Sequence, residues 1–333
     1  MESEQEDNPK NQFPLDPSSY KITDEIAVGE GVVVYKAVCV PMDSAIVAIK
    51  VIDRDQCTGD FRFQQREALT KETMPLLSHP NVLGAHCSFT VDRHLWVVMP
   101  YMSCGSLHSI ISSAFERGLP EEWVAIVLKE TLKGLAYLHK GGHIHGDVKV
   151  SNILLDSNGC VKLADFGASF SFYPRKSTML YWVAPDIVKS RAPFSFRTDI
   201  WSLGMIALVT SLSFSEALQD MITLCLHKDP AKRPSADELL KHRFFEGCKG
   251  TTEFLVEHFL HGLPSVEERF RESKILADEP DPHVPVFLPH PVDSVGKTPA
   301  LISAEKLWNE LIALTITSSD NQREKVTDEN DLN

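Results

Sequence analysis

The 333-residue sequence has no run of 18 or more apolar residues, so no segment reads as a membrane-spanning helix. Its seven cysteines, Cys39, Cys57, Cys87, Cys104, Cys160, Cys225 and Cys248, are odd in number and widely spaced, without a CxxC pair. That pattern argues against a zinc or disulfide framework and for free thiols in a reducing compartment. Cations are also scarce: 33 Lys and Arg face 46 Asp and Glu, a formal net charge of −13. Nucleic-acid binding needs clustered Lys and Arg on phosphates, so this balance argues against it. The opening MESEQEDNPK is acidic and polar, unlike a signal peptide. A cytoplasmic protein is expected. Hydrophobic content of 43% is ordinary for a globular chain, and the length allows a substantial core.

What the chain does contain is a dense polar stretch from His143 to Gly167, HIHGDVKVSNILLDSNGCVKLADFG. Ile153–Leu155 and Val161–Leu163 predict a hairpin with Asp156–Gly159 as its turn. The hairpin brings Asp147 and Asn152, before its first strand, close to Asp165, after its second. Phosphoryl transfer from ATP needs such a cluster: a carboxylate to orient the attacking hydroxyl, and oxygen ligands for Mg²⁺.

Upstream, residues 1–19 are polar and read as a disordered leader. From Tyr20 the pattern alternates in short strands, with Gly29 and Gly31 between the first two. Small residues at such a turn let backbone N–H groups approach phosphates. A further strand ends in Lys50, 97 residues before Asp147. Asn81 to Pro100 predicts two more strands, NVLGAHCSFT and HLWVVMP, completing a small antiparallel sheet. Glu121 to His139 carries apolar residues at helical intervals, and DIWSLGMIALVTS is apolar on nearly all sides, hence a buried helix. Beyond Phe245, residues 247–275 read as helical extension on the helical lobe. Residues 276–333 read as a mostly disordered tail, with a helix expected over 303–316.

The motifs VAIK, SHPN, HGDVKVSN, LADFG, YWVAPD, DIWSLG and KDPAKRPSADELLKH resemble those of sterile-20, germinal-centre-like serine/threonine protein kinases. The resemblance implies an α+β, two-lobed protein-kinase fold over 20–246: a small antiparallel β lobe (20–102) and a larger helical lobe (103–246). It implies Mg·ATP in the cleft, a protein substrate with a Ser or Thr hydroxyl, and an upstream kinase or scaffold partner. By motif position, Asp147, Lys149 and Lys50 would be catalytic. Ala27, Gly29, Gly31, Val34, Ala48, Lys50, Met99 and Met102 would hold the nucleotide, and Asn152 and Asp165 the metal. Asp199 would hold the catalytic-loop backbone, and Arg233 would pair with Asp186. His145 and Phe166 would be core residues.

The chain also departs from the pattern. Ala27 and Val32 stand where glycines are usual, Gly146 where arginine is, and Met179 where threonine is. A buried Lys50 needs an acidic partner; Glu67 and Glu72 are both open as candidates. Only 34 residues separate Asp199 from Arg233, where a complete lobe of this kind needs roughly 60 or more. The helical lobe therefore reads as shortened, as if a block near 211–215 had been removed. Two functional readings follow: a kinase, or a catalytically weak or inactive pseudokinase acting as a scaffold or regulator.

Overall fold

Period-two alternation of apolar residues builds a five-stranded antiparallel sheet from β1 (Tyr20–Gly29), β2 (Val32–Cys39), β3 (Ala45–Asp53), β4 (Cys87–Val91) and β5 (His94–Pro100). The strand order is β1-β2-β3-β5-β4. The computed structural model describes residues 12–29, 31–55, 71, 73–115, 117–166, 184, 186–187, 193–246 and 251–278. Along β3, Ala48 and Ile52 join Leu95, Val97 and Met99 in the cluster facing the second lobe. Val47 and Ile49 join Ala37, Phe89 and Val98 on the opposite face.

Two expectations about this lobe need correction. The fourth strand begins at Cys87 rather than Asn81. Asn81 is tied to the other lobe instead, its Nδ2 donating to Glu130 Oε2 and to the Val161 carbonyl, each at 2.9 Å. Residues 12–19, read as leader, pack on the sheet: Phe13 stacks on His86 at 4.1 Å, and the Tyr20 hydroxyl donates to the Pro14 carbonyl at 2.6 Å. One half-buried aromatic and one carbonyl acceptor outweigh the polarity of their neighbours.

The second lobe contains β6 (Gly105–Ser106), α1 (Leu107–Ala114), α2 (Glu121–Lys140), β7 (Ile153–Leu155), β8 (Val161–Leu163), α3 (Phe196–Thr210), α4 (Glu216–Cys225), α5 (Ala236–Leu239) and α6 (Arg243–Glu246). Strands β7 and β8 form the expected hairpin, with Leu154 opposite Lys162. Helix α3 is buried nearly all round, as its composition requires. Among the described residues no helix is long and apolar enough to cross a membrane.

The link from α3 to α4 is residues 211–215, and it is well tied. The Leu119 N–H donates to the Thr210 carbonyl at 2.7 Å, and the Leu212 N–H donates back to Leu119 at 2.8 Å. The Glu121 carboxylate takes the Ser215 N–H at 2.8 Å and its hydroxyl at 2.5 Å, while Ser215 caps α4. Gly204 lets the two helices touch, since a Cβ there would lie 2.6 Å from Cys225 Cβ. Leu212 and Leu224 are 43% and 38% exposed. Leu224 also lines an open cleft of about 400 Å³ with Arg197, Lys232, Pro234, Leu239 and His242.

The extension divides between the lobes. Helix α7 (Thr252–Leu255) runs into a wide turn whose Phe259 packs on Phe115 and Trp123 of the helical lobe. Helix α8 (Val266–Asp278) instead crosses to the β lobe, where Lys274 meets Glu25 at 2.8 Å. The tail helix expected over 303–316 lies outside the described residues.

Candidate active site

The loop before β7 is shaped from below by a buried carboxylate. Asp199, at the start of α3, accepts the backbone N–H of His145 at 2.9 Å and of Gly146 at 2.8 Å. His139, in the last turn of α2, reaches the same carboxylate at 2.8 Å. Gly146 has φ +77°, a left-handed conformation that glycine adopts without strain. His145 is fully buried, and burial pushes its imidazole below its usual pKa, outweighing the nearby carboxylates. It is therefore neutral, with Nδ1 accepting the Asp147 N–H at 3.2 Å and Nε2 donating to the Ala164 carbonyl at 2.9 Å. One ring thus fixes the backbone on both sides of the site.

Three of the sequence-derived residues meet here. Asn152 Nδ2 donates to the Asp147 carbonyl at 2.8 Å and to its Oδ2 at 2.9 Å. Lys149 Nζ lies 2.8 Å from the same Oδ2. Both contacts fall on one carboxylate oxygen, so Oδ1 is oriented without being occupied by them. Asn152 is 5% exposed, and its amide geometry turns Oδ1 away from Asp147.

The other pair joins the lobes. Lys50 Nζ lies 2.5 Å from Asp165 Oδ1, with Lys50 opposite Val34 on β2 and Val97 on β5. Asp165 has φ +61°, unusual for a residue with a side chain and costing about 1 kcal/mol. The next residue, Phe166, is 5% exposed and packs with Val82 and Leu138. Burial of Phe166 holds the strained turn in place. Glu67 and Glu72 lie outside the described residues, as do Met179 and the activation-segment hydroxyls Ser169, Ser171, Ser177 and Thr178.

Above this pair the cleft is apolar. Ala48, Met99 and Met102 belong to one buried cluster, with Val34 packed against it. Leu154 joins them from below, a residue that sequence reasoning missed. The alternation in β7 carried the signal: Ile153 and Leu155 are fully buried on one side, so Leu154 must face the other. Ala27 pairs with Val34 across the β1–β2 hairpin, and Gly29 with Val32. Gly31 has φ +67° and its carbonyl accepts the Asp53 N–H at 2.9 Å, folding the turn onto β3. Ala27 and Gly29 are exposed at the cleft's rim.

Arg233, fully buried, binds Asp186 and donates to the His227 carbonyl at 2.9 Å and the Arg197 carbonyl at 3.1 Å. Its guanidinium also lies 5.0 Å from the Trp201 ring centroid. That pairing was expected from the motifs, and it anchors the chain that follows the cleft to the base of the lobe.

Comparison with known proteins gives a consistent family. Residues 20–213 match the family described as protein kinase domain, the match ending inside the short α3–α4 link. The chain is 33% identical over 301 residues to the serine/threonine-protein kinase fray2 of Dictyostelium discoideum, covering 79% of this chain and 29% of that protein. It is 32% identical over 316 residues to germinal center kinase 3 of Caenorhabditis elegans, covering 78% and 52%. Serine/threonine-protein kinase 1 of Arabidopsis thaliana is 31% identical over 270 residues, covering 70% and 32%. The chain thus spans about half or less of the length of these relatives.

Proposed function

Since the chain belongs to the protein kinase domain family, we propose that it is an ATP-dependent serine/threonine protein kinase acting on protein hydroxyls in intracellular signalling. The observation that carries the reading is the Asp147 carboxylate, held by Asn152 and Lys149 through one oxygen, an arrangement that among the described residues leaves the other to a substrate. In this reading Asp147 orients the substrate hydroxyl and accepts its proton as the hydroxyl oxygen attacks the γ-phosphorus. The bond between that phosphorus and the β–γ bridging oxygen breaks, and ADP leaves with the electron pair.

The remaining roles belong to the same proposal. The cluster of Val34, Ala48, Met99, Met102 and Leu154 offers the apolar slot that a purine base fills. Lys50 pairs with phosphate oxygens, Gly29 and Gly31 with Ala27 line the phosphate side, and Lys149 steadies the transferred group. Magnesium takes few protein ligands, usually one or two, and completes its shell with phosphates and water. Asp165 and Asn152 supply that number of oxygen donors, which fits. When bound, the ion neutralises charge on the phosphates.

Beyond the family, the wording DPSSYKI, YKAVCVPM and CSFTVDRHLWVVMPYMSCGSLHSI is similar to the plant blue-light-signalling kinase. A plant signalling role in the cytoplasm is part of the proposal, and the free thiols of Cys39, Cys87, Cys104, Cys160 and Cys225 accord with a reducing compartment. We read the kinase unit as extending past the matched residues to Glu246, because α5 and α6 pack on α2 and α4.

The test is transfer of labelled γ-phosphate from Mg·ATP to a basic protein substrate and to the chain itself. Asp147→Asn runs beside the wild type. Transfer that disappears in the variant is the expected result. Absence of transfer from folded wild-type chain would move the reading to a regulatory scaffold.

A further inference from the structure

Helix α8 lies beyond the residues matched by the family and makes one unusually dense polar contact. Glu267, 6% exposed, takes the Lys36 ammonium of β2 at 2.6 Å and the Tyr101 hydroxyl at 2.5 Å, both on Oε1. Lys36 Nζ also sits 4.9 Å from the centre of the Tyr101 ring. Tyr101 lies between β5 and Met102, so the contact reaches the segment joining the lobes at the wall of the apolar slot. Burial pushes the Glu267 carboxyl up, but the bonds from Lys36 and Tyr101 together outweigh it and hold it at about 2. The group is ionised throughout the physiological range.

Neighbouring contacts on the same helix bind the same parts. Arg269 donates to the Cys104 carbonyl just past the joining segment. Val266 presses on Gly105, where a Cβ would lie 2.6 Å from Val266 Cγ2. Lys274 and Arg271 reach Glu25 and Asp24 on β1. Yet Arg269 is 4% exposed, and among the described residues its Nε and Nη1 have no hydrogen-bond partner. A half-satisfied buried guanidinium costs stability. The seat of α8 is therefore poorly optimised for holding the fold, and well placed for holding one lobe against the other.

We propose that Glu267 is a positioning residue for the nucleotide slot, strapping β2 to the inter-lobe segment from outside the cleft. The inference deepens the kinase reading and rests on it. With the strap in place, Val34 above and Met102 at the wall keep one spacing, and the slot is formed before nucleotide arrives. Without it the β lobe samples other angles, and only part of the population is competent to bind.

The test uses the full-length chain with Glu267→Gln, Lys36→Met and the double variant. Mg·ATP affinity is measured directly, amide hydrogen exchange is followed in β1, β2 and residues 100–105, and steady-state transfer gives KM and kcat. If the competent fraction falls to about one tenth, affinity weakens about tenfold in each single variant. KM for ATP is expected to rise likewise, with kcat little changed and exchange faster only in the named segments. The double variant is expected to match the singles, because losing either the Glu267 charge or the Lys36 ammonium breaks the same ion pair between α8 and β2. Faster exchange with unchanged ATP affinity would overturn the positioning role, as would additive losses in the double variant. Wild-type chain that binds no Mg·ATP would count against the kinase reading itself; wild-type binding that the substitutions leave unchanged would overturn the strap alone.

Discussion

The Asp199 carboxylate accepts the backbone N–H of Gly146 at 2.8 Å, across 53 residues of sequence. With the adjacent His145 amide it fixes the direction in which the chain enters Asp147. Asp199 is 1% exposed, so both bonds are made out of water. Asp199→Asn replaces one acceptor oxygen by an N–H₂ facing donors. Breaking a buried charged arrangement of this kind costs about 3–5 kcal/mol. Misplacing a reacting group by about 1 Å costs about 10²-fold in rate. A chemical-denaturation curve and kcat at saturating Mg·ATP should both fall by these amounts; an unaltered kcat in a stable variant would refute the positioning argument.

His145 makes stability depend on pH in a definite direction. Its folded pKa is below the unfolded value of 6.5, chiefly through burial. Above pH 6.5 both states are neutral at this ring and the group contributes no slope. As pH falls below 6.5 the unfolded chain takes up the proton first, so stability declines until the folded pKa is reached. His79, His86 and His108 are lowered by burial too and act with the same sign. Unfolding free energies measured from pH 7 to 5 should therefore decrease, and His145→Gln should reduce the slope by up to about 1.4 kcal/mol per pH unit. A flat profile for the wild type would contradict the buried neutral ring.

Gly146 separates strain from crowding. Among the described residues no atom lies within 4 Å of a Cβ built there, but φ is +77°. Gly146→Ala should destabilise by about 1 kcal/mol through backbone conformation alone. For a chain of this size that is a fall of about 2–4 °C in Tm. A larger loss in a thermal melt would mean that something else occupies the space.

Gly204 is the opposite case, at ordinary helical geometry but with no room. A Cβ would sit 2.6 Å from Cys225 Cβ and 2.9 Å from Leu226 Cδ2. Overpacking of this kind costs about 1–3 kcal/mol. Gly204→Ala should lower the melting temperature, and part of that loss should be recovered when it is made in a Cys225→Gly background, which lacks the Cβ it would meet. No recovery would show that α3 and α4 do not meet as described.

Much of this was legible along the chain because the signals were local. Alternation marked β3 and the β7–β8 hairpin, continuous apolarity marked α3, and the spacing from Asp147 through Asn152 to Asp165 located the polar cluster. The misreadings came from distant partners. Asn81 looks like the start of a strand until Glu130 and the Val161 carbonyl claim its amide. Phe13 sits in a polar segment, and its partners, His86 and the cluster on the outer face of the sheet, are remote in sequence. Helix α8 reads as one more amphipathic helix; nothing near Glu267 in sequence announces Lys36 or Tyr101. The link at 211–215 was noticed as a shortage of residues, but its closure by Leu119 and Glu121 lies some 90 residues upstream, with Glu121 and Ser215 separated by 94.

The contact between Lys36 and Glu267 closes a loop of 231 residues. During synthesis at about 5–20 residues per second, the ribosome needs roughly 10–50 s after making Lys36 to reach Glu267. Strands β1 to β5 and the cluster around Asp147 are complete well before then. A newborn chain therefore passes through an interval in which β2 and Tyr101 are made but not yet joined, and the translation of α8 decides when that interval ends.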